Sequence, residues 1–169
     1  MNPKQLAQYL HEHQSQLADK RVVAGFDGFV DELVEAIDER SSETDYTTID
    51  SMQRFGQMIS AASGRSSLNE INIRSADAGG CSVNLSDGLN TAGVKVDYYG
   101  TLGDPIHPAF QQFEQDCRSC TTWLDGHGLT LALEFSDGKY MLAAMSDLYR
   151  FNPALVEGHI ATGSFKENC

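Results

Sequence analysis

The sequence contains no long apolar run. No stretch of its 169 residues approaches the about 20 apolar residues that a membrane-spanning helix needs. Residues 1–5 lead into a polar, amphipathic helical pattern and not into the apolar core of a signal peptide. We therefore expect a cytoplasmic protein with no membrane partner.

Positive charge is also scarce. Lys and Arg total 12 against 24 Asp and Glu, which gives a formal net charge of -12 at pH 7. This balance argues against non-specific binding to nucleic acids and to anionic membranes. It does not exclude an anionic small molecule, because a local site can differ from the average surface.

Cysteine is limited to 4 residues, whose spacing shows no disulfide framework, so we expect reduced thiols. Cys117 and Cys120 form a Cys-x-x-Cys pair, and His127 would make a third possible metal ligand. A structural zinc site needs four ligands, and a thioredoxin-like pair opens a helix, whereas this pair closes a predicted one. A redox or metal protein is thus a weaker alternative, and we expect no metal site.

The composition, 41% hydrophobic and 21% charged, predicts a globular domain of ordinary type. Apolar spacing predicts alternating helices and buried strands, with residues 39–48 as a polar loop. Asp137-Gly138 lies between two strand-like runs, 129–135 and 139–145, and predicts an antiparallel hairpin. The other predicted elements are a helix from Pro3 with Asn2 as its cap, a strand at 21–26, a helix at 49–62, a strand at 71–74, a helix at 82–92, a strand at 94–102 and a helix from Pro108. This alternation indicates an α/β fold.

Polar residues with ligand-binding chemistry follow two of these strands. Gly79 and Gly80 have no Cβ and would let backbone approach a ligand closely, and the Asn84 amide lies one helical turn further on. If the first strand stays extended, Asp27 and Asp31 share one face of it. The alternatives without a ligand are a simple turn before a helix for the glycine segment and a solvated strand end for the two aspartates. Carboxylates and an amide beside a glycine turn suit a small molecule rich in hydroxyls.

The order of these motifs resembles that of the ribokinase (PfkB-type) carbohydrate kinases. The matching features are the strand that leads to Asp31 or Asp27, the sugar-binding element formed by Gly79, Gly80 and Asn84, the Gly103-Asp104 turn, and the Asp137-Gly138 hairpin. Cys81 departs from the pattern, because ribokinase itself has a Lys at that position. The resemblance covers the amino-terminal half of such a kinase.

The resemblance implies a ribokinase-like, Rossmann-like three-layer sandwich with a small β lid, incomplete on its C-terminal side. Residues 1–169 would be the amino-terminal part of the kinase domain, with lid strands near 71–74 and 129–145. Its sugar or nucleoside would bind through Asp27, Asp31, Gly79, Gly80 and Asn84, and lid strands could form a homodimer.

The full family domain uses ATP and Mg²⁺ to phosphorylate a sugar hydroxyl. The Gly-Ala-Gly-Asp element that holds the family's catalytic base and anion hole does not occur in these residues, nor does a Walker-type loop. We therefore predict no catalytic residue here, no cofactor bound by these residues alone and no turnover by them. The main alternative is a truncated, non-catalytic module for sugar binding or dimerisation.

Overall fold

The computed structural model describes residues 1–163 and 165, which divide into two compact units. The first unit contains residues 1–30, 78–128 and the described residues from 145 onward. The second unit contains residues 31–77 and 129–144. No helix in the described ranges is long and apolar enough to cross a membrane.

Helices and strands alternate along the chain. The strands are β1 (Arg21–Ala24), β2 (Phe29–Arg40), β3 (Tyr46–Thr48), β4 (Ile71–Gly79), β5 (Lys95–Gly100), β6 (Ser119–Thr122), β7 (Gly128–Phe135) and β8 (Gly138–Ala144). The helices are α1 (Pro3–Glu12), α2 (Gln14–Ala18), α3 (Met52–Ala61), α4 (Cys81–Thr91), α5 (Gln111–Asp116) and α6 (Pro153–Ala161), with short 3-10 helices at Pro108–Phe110 and Leu148–Arg150.

The first unit is built on a three-stranded parallel sheet in the order β1-β5-β6. Every residue of the central strand β5 after Lys95 is buried. Strands of a parallel sheet are covered on both faces, and the apolar pattern of β5 accordingly has no polar alternation apart from Asp97. This parallel sheet, together with the helices that alternate with its strands, confirms the predicted α/β class.

Asp97 is the charged exception inside this sheet, and its side chain is completely buried. Its carboxylate accepts hydrogen bonds from Arg21 at the start of β1 and from Ser119 at the start of β6, both at 2.5 Å. Arg118 forms a further ion pair with it at 2.6 Å. One carboxylate therefore ties all three strands together, which satisfies the rule that a buried charge is paired and hydrogen-bonded.

An aromatic cluster around Trp123 forms a second part of the packing in the first unit. The Trp123 ring stacks on His159 of α6, with ring centroids 4.3 Å apart and planes 7° apart. Phe151 stacks on it at 5.6 Å and 11°, and Phe26 lies at 5.6 Å. Trp123 is only 8% exposed and lies in the packed interior of the first unit.

The second unit contains a sheet with the strand order β3-β2-β7-β8, in which β4 also pairs with β2. β7 and β8 are antiparallel from Phe135↔Gly138 to Leu129↔Ala144, so the predicted hairpin is confirmed. Helix α3 begins after the Ser51 cap. The core of this unit consists of Val34, Ala36, Ile49 and Leu133, with Phe55, Met58, Leu131 and Phe135 packed around them.

Three expectations about local structure are wrong. The chain does not stay extended from residue 21 to residue 31, because β1 ends at Ala24 and β2 begins only at Phe29. Residues 39–48 are not a loop throughout, since β2 extends to Arg40 and β3 covers Tyr46–Thr48. β4 continues to Gly79, so the turn before α4 is made by Gly80 and not by the glycine pair.

Candidate functional site

The candidate site lies at the N-terminus of α4, where the segment after β1 meets the helix. The Asp27 carboxylate accepts hydrogen bonds from two backbone amides of the first turn, Cys81 N–H at 2.6 Å and Ser82 N–H at 2.9 Å. These amides have no partner inside a helix, and they form the positive end of its dipole. Asp27 therefore caps the helix from a distant part of the chain.

Gly80 makes this arrangement possible. It precedes the helix with φ +104, a conformation that residues with a side chain rarely adopt. A Cβ at Gly80 would lie 2.9 Å from the Asp27 Oδ2 atom and 3.2 Å from its main-chain oxygen. Glycine is thus required both for the turn and for the close approach of the carboxylate.

The main chain of Asp27 is fixed as firmly as its side chain. Its carbonyl oxygen accepts hydrogen bonds from the Ser82 hydroxyl at 2.7 Å and from the Tyr98 hydroxyl at 2.6 Å. Burial raises the pKa of Tyr98, so this phenol stays protonated and acts as a donor. The Gly28 N–H donates to the Thr101 hydroxyl at 3.0 Å. The segment that carries Asp27 is therefore held on the carboxyl end of β5.

Sequence patterns did not indicate that Ser82, Tyr98 or Thr101 belongs to the candidate site. A serine in the first turn of a helix is too common to single out, and a tyrosine in a buried strand is normally assigned to the core. Only the pairing of β1 with β5 brings the Tyr98 hydroxyl to the Asp27 main chain.

Asp27 is ionised at neutral pH. Partial burial opposes its charge, but hydrogen bonding by Ser82 and by the Cys81 amide outweighs this effect and holds the pKa of Asp27 below its usual value. An ionised carboxylate has room for about four hydrogen bonds, and the two helix amides use part of this capacity. The remaining lone pairs are available to hydroxyl donors.

The other predicted site residues lie in three different elements. Asn84 is exposed on the first turn of α4, and its N–H closes that turn on the Gly80 carbonyl at 2.9 Å. Gly79 is buried as the last residue of β4. Asp31 is half-buried on β2 and belongs to the second unit. Asp27, Gly80 and the first turn of α4 thus come together in the first unit.

These residues do not fit a nucleotide phosphate. The N-terminus of a helix favours an anion, but at α4 the Asp27 carboxylate already occupies this position and would repel a second negative group. Within the described ranges, no group of three or more His, Cys, Asp or Glu side chains is arranged to hold a metal ion.

The site lies beyond the carboxyl ends of β1 and β5, which is where open parallel α/β sheets bind their ligands. The described geometry thus defines an α/β protein with an ionised carboxylate beside a helix N-terminus at the sheet edge. A family model described as prokaryotic ketohexokinase matches residues 4–168. The chain belongs to this family of carbohydrate kinases, which confirms the kinase family predicted from the motifs.

Three individual proteins are similar to parts of this chain. Ketohexokinase from Haloferax volcanii is 29% identical over 149 residues, which are 87% of this chain and 39% of that protein. A putative sugar kinase from Clostridium perfringens has a TM-score of 0.49 and 14% identity, over 85% of this chain and 40% of its own. A nucleoside kinase of the ribokinase family from Methanocaldococcus jannaschii has a TM-score of 0.46 and 12% identity, over 79% of this chain and 40% of its own. The chain spans well under half the length of these relatives.

Proposed function

We propose that these residues form the sugar-binding part of a carbohydrate kinase, and that the sugar is a ketohexose. The family match supports the kinase class, and the relative from Haloferax volcanii bears the name ketohexokinase. The observation that carries the proposal is the Asp27 carboxylate, held ionised at the sheet edge with unused lone pairs.

In this proposal each residue has a separate role. Asp27 accepts hydrogen bonds from one or two sugar hydroxyls, and charge-assisted bonds of this kind are about twice as strong as neutral ones. Asn84 offers an exposed amide with two donors and one acceptor, which suits hydroxyls that both donate and accept. Gly80 lets the backbone come close to the ligand, and Asp31 is a further candidate acceptor.

Isothermal titration with ketohexoses, aldohexoses, pentoses and nucleosides tests the binding. We expect weak binding that favours ketohexoses. Asn84→Ala should reduce the affinity about tenfold or more, as expected for one lost hydrogen bond to a polar ligand. Asp87→Ala is the matched control, because Asp87 is also exposed on α4 one turn further along and should leave binding unchanged. Equal affinity for Asn84→Ala, Asp31→Ala and wild type would contradict the site assignment.

The same preparation should show no phosphoryl transfer. A kinase must position a Mg²⁺-bound nucleotide, deprotonate the attacking hydroxyl and stabilise the charge that develops on the phosphoryl group. A coupled ADP-release assay checks this expectation. Sugar-dependent turnover that Asn84→Ala abolishes would show that the missing base and anion hole are replaced by other residues of this chain.

A dimerisation role is a second candidate, and the surface of the second unit favours it. β8 is the edge strand of its sheet, and all of its residues are exposed, among them Tyr140, Met141 and Leu142. Apolar edge strands are templates for pairing with a second chain. We propose that two copies pair through this hairpin.

A further inference from the structure

Basic residues collect at the amino-terminal ends of the three parallel strands in the first unit. Lys20 and Arg21 lie at the start of β1, Lys95 begins β5, and Arg118 directly precedes β6. All four are exposed, and we call them the basic row. They are four of the 12 Lys and Arg residues in a chain of net charge -12, so the basic row differs sharply from the average surface.

The pairing of the strands places these residues side by side. Arg21 is the parallel partner of Lys95, and the Lys95 N–H donates to the Lys20 carbonyl at 3.0 Å. On the other side of β5, the Arg118 N–H donates to the Val96 carbonyl at 2.8 Å. Neighbouring strands are about 4.8 Å apart, so the basic row extends over about 10 Å from β1 to β6.

Asp97 is the acidic group between the two arginines. Its carboxylate pairs with the Arg21 Nε atom at 2.5 Å and with the Arg118 Nη2 atom at 2.6 Å, so two guanidinium groups converge on one carboxylate. Two guanidinium groups together have about ten N–H donors, whereas one carboxylate accepts about four hydrogen bonds. Both arginine side chains are 39% exposed, so they extend from the buried carboxylate to the solvent.

The two lysines add positive charge to this edge of the sheet. Neither Lys20 nor Lys95 forms a salt bridge with another residue that the structure describes. The acidic residues nearest to the basic row along the chain are Asp97 and the exposed residues Asp19 and Asp116. Four basic residues against these three acidic ones leave a local excess of positive charge.

We propose that the basic row is a binding site for a small molecule that carries two linked phosphate groups. Guanidinium groups bind phosphate oxygens through pairs of N–H donors, and lysine ammonium groups bind them as point charges. Each phosphate group brings several acceptor oxygens and more negative charge than a carboxylate. Two linked phosphates fit a row of about 10 Å, whereas the repeated phosphates of a nucleic acid would also meet the acidic remainder of the surface.

The proposed phosphate site is separate from the proposed sugar site. Asp27 follows the carboxyl end of β1, whereas Arg21 begins this strand, and four extended residues span about 13 Å. A phosphate bound at the amino ends of the strands is therefore not positioned to react with a sugar at their carboxyl ends. Loss of one site should leave binding at the other unchanged.

Isothermal titration of the full chain with pyrophosphate, in a buffer without divalent metal ions, tests the proposal. We expect one pyrophosphate to bind, with an affinity that decreases as NaCl is raised, because salt screens exposed charges. The double variant Lys20→Gln/Lys95→Gln should bind pyrophosphate about tenfold or more weakly, since two positive charges are lost. Lys4→Gln is the matched control, because it removes one exposed charge from α1 of the same unit and should leave the affinity unchanged.

No binding of pyrophosphate by the wild type would overturn the proposal, and so would an equal loss of affinity in the double variant and in Lys4→Gln. Citrate, which carries carboxylates and no phosphate, tests the ligand class, and tighter binding of citrate than of pyrophosphate would contradict the choice of phosphate. Vesicles that contain phosphatidylglycerol test a membrane source of the phosphate. We expect no co-sedimentation with them, and co-sedimentation that the double variant abolishes would assign the basic row to lipid headgroups instead.

Thermal unfolding tests the role of the two arginines without replacing them. Asp97→Asn leaves Arg21 and Arg118 in place but removes the carboxylate with which they pair. A ligand stabilises the folded state that it binds, so pyrophosphate should raise the melting temperature of Asp97→Asn more than that of the wild type. An equal rise in both proteins would contradict contact between pyrophosphate and the guanidinium groups.

Discussion

Asp27 caps a helix whose first residue lies 54 positions later in the chain. Local caps come from the residue directly before the helix, which here is Gly80 and has no side chain to offer. The carboxylate that replaces it also carries the negative charge of the candidate site. Helix capping and the proposed ligand binding thus depend on the same carboxylate, and both depend on the space that Gly80 leaves.

Alanine substitutions at two glycines should separate the requirement for glycine at position 80 from ordinary helix propensity. We expect Gly80→Ala to lower the free energy of unfolding by at least about 1 kcal/mol, because φ is positive there and the new Cβ would press on Asp27. Gly88→Ala, inside α4 with nothing within 4 Å of its Cβ position, should raise it by about 0.5–1 kcal/mol. Urea unfolding measures both, and equal effects of the two substitutions would contradict this account of Gly80.

Sequence patterns predicted Asp27, Gly80 and Asn84 as site residues because their chemistry follows the ends of predicted strands. They did not predict that Asp27 binds the amides of α4. Capping rules compare residues a few positions apart, whereas this contact depends on the tertiary position of β1 beside β5. The sugar-binding roles of all five predicted site residues remain predictions.

At the scale of the elements, the parallel sheet depends on a single buried carboxylate. Asp97 on β5 contacts Arg21 and the Arg118–Ser119 turn, so it links strands that are distant in sequence. Burial opposes its charge, but hydrogen bonds from Arg118, Ser119 and Arg21 outweigh this and hold the pKa of Asp97 below its ordinary value.

We expect Asp97→Asn to destabilise the first unit by about 1–3 kcal/mol at pH 7, because two arginines lose their charged partner. The loss should depend on pH. A group whose pKa is lowered by folding stabilises fully above its unfolded value of about 3.9, and this contribution disappears as the pH falls through the lower folded value. The difference between variant and wild type should therefore be constant from pH 5 to 7 and shrink below about pH 4.

Thermal unfolding at several pH values measures this difference. Asp125→Asn is the control, because Asp125 pairs with Arg150 on the surface, where both side chains are largely exposed. Exposed ion pairs contribute little to the free energy of unfolding, so this variant should unfold like the wild type. A similar effect of both substitutions would contradict the role assigned to Asp97.

Whether an element could be predicted from the sequence depends on the pattern that its apolar side chains form. β5 and α4 were predicted because an apolar strand and a helix followed by Gly93 leave clear patterns in the sequence. β6 was missed, because Ser119–Thr122 has no apolar pattern and becomes a strand only by pairing with β5. β2 was not predicted over its full length, because acidic residues interrupt its apolar positions.

At the scale of the whole molecule, we expect reversible self-association through the hairpin β7–β8. Sedimentation velocity at tens of micromolar, an order-of-magnitude choice for a weak interface, should show dimers of the wild type. Leu142→Lys should give monomers, because a charge on an edge strand opposes pairing. Leu85→Lys is the control, since Leu85 is exposed on α4 in the first unit. A monomeric wild type would contradict the proposal.

The ring stack around Trp123 has a spectroscopic consequence. The sequence contains 1 tryptophan, and it lies in the first unit against His159, Phe151 and Phe26. Tryptophan emission therefore originates entirely in that unit, beside an imidazole ring 4.3 Å away. The second unit contains tyrosines such as Tyr46 and Tyr140 but no tryptophan. A change in emission during denaturation is thus a local signal of the first unit, and a circular dichroism transition that fails to coincide with it would reveal the second unit melting separately.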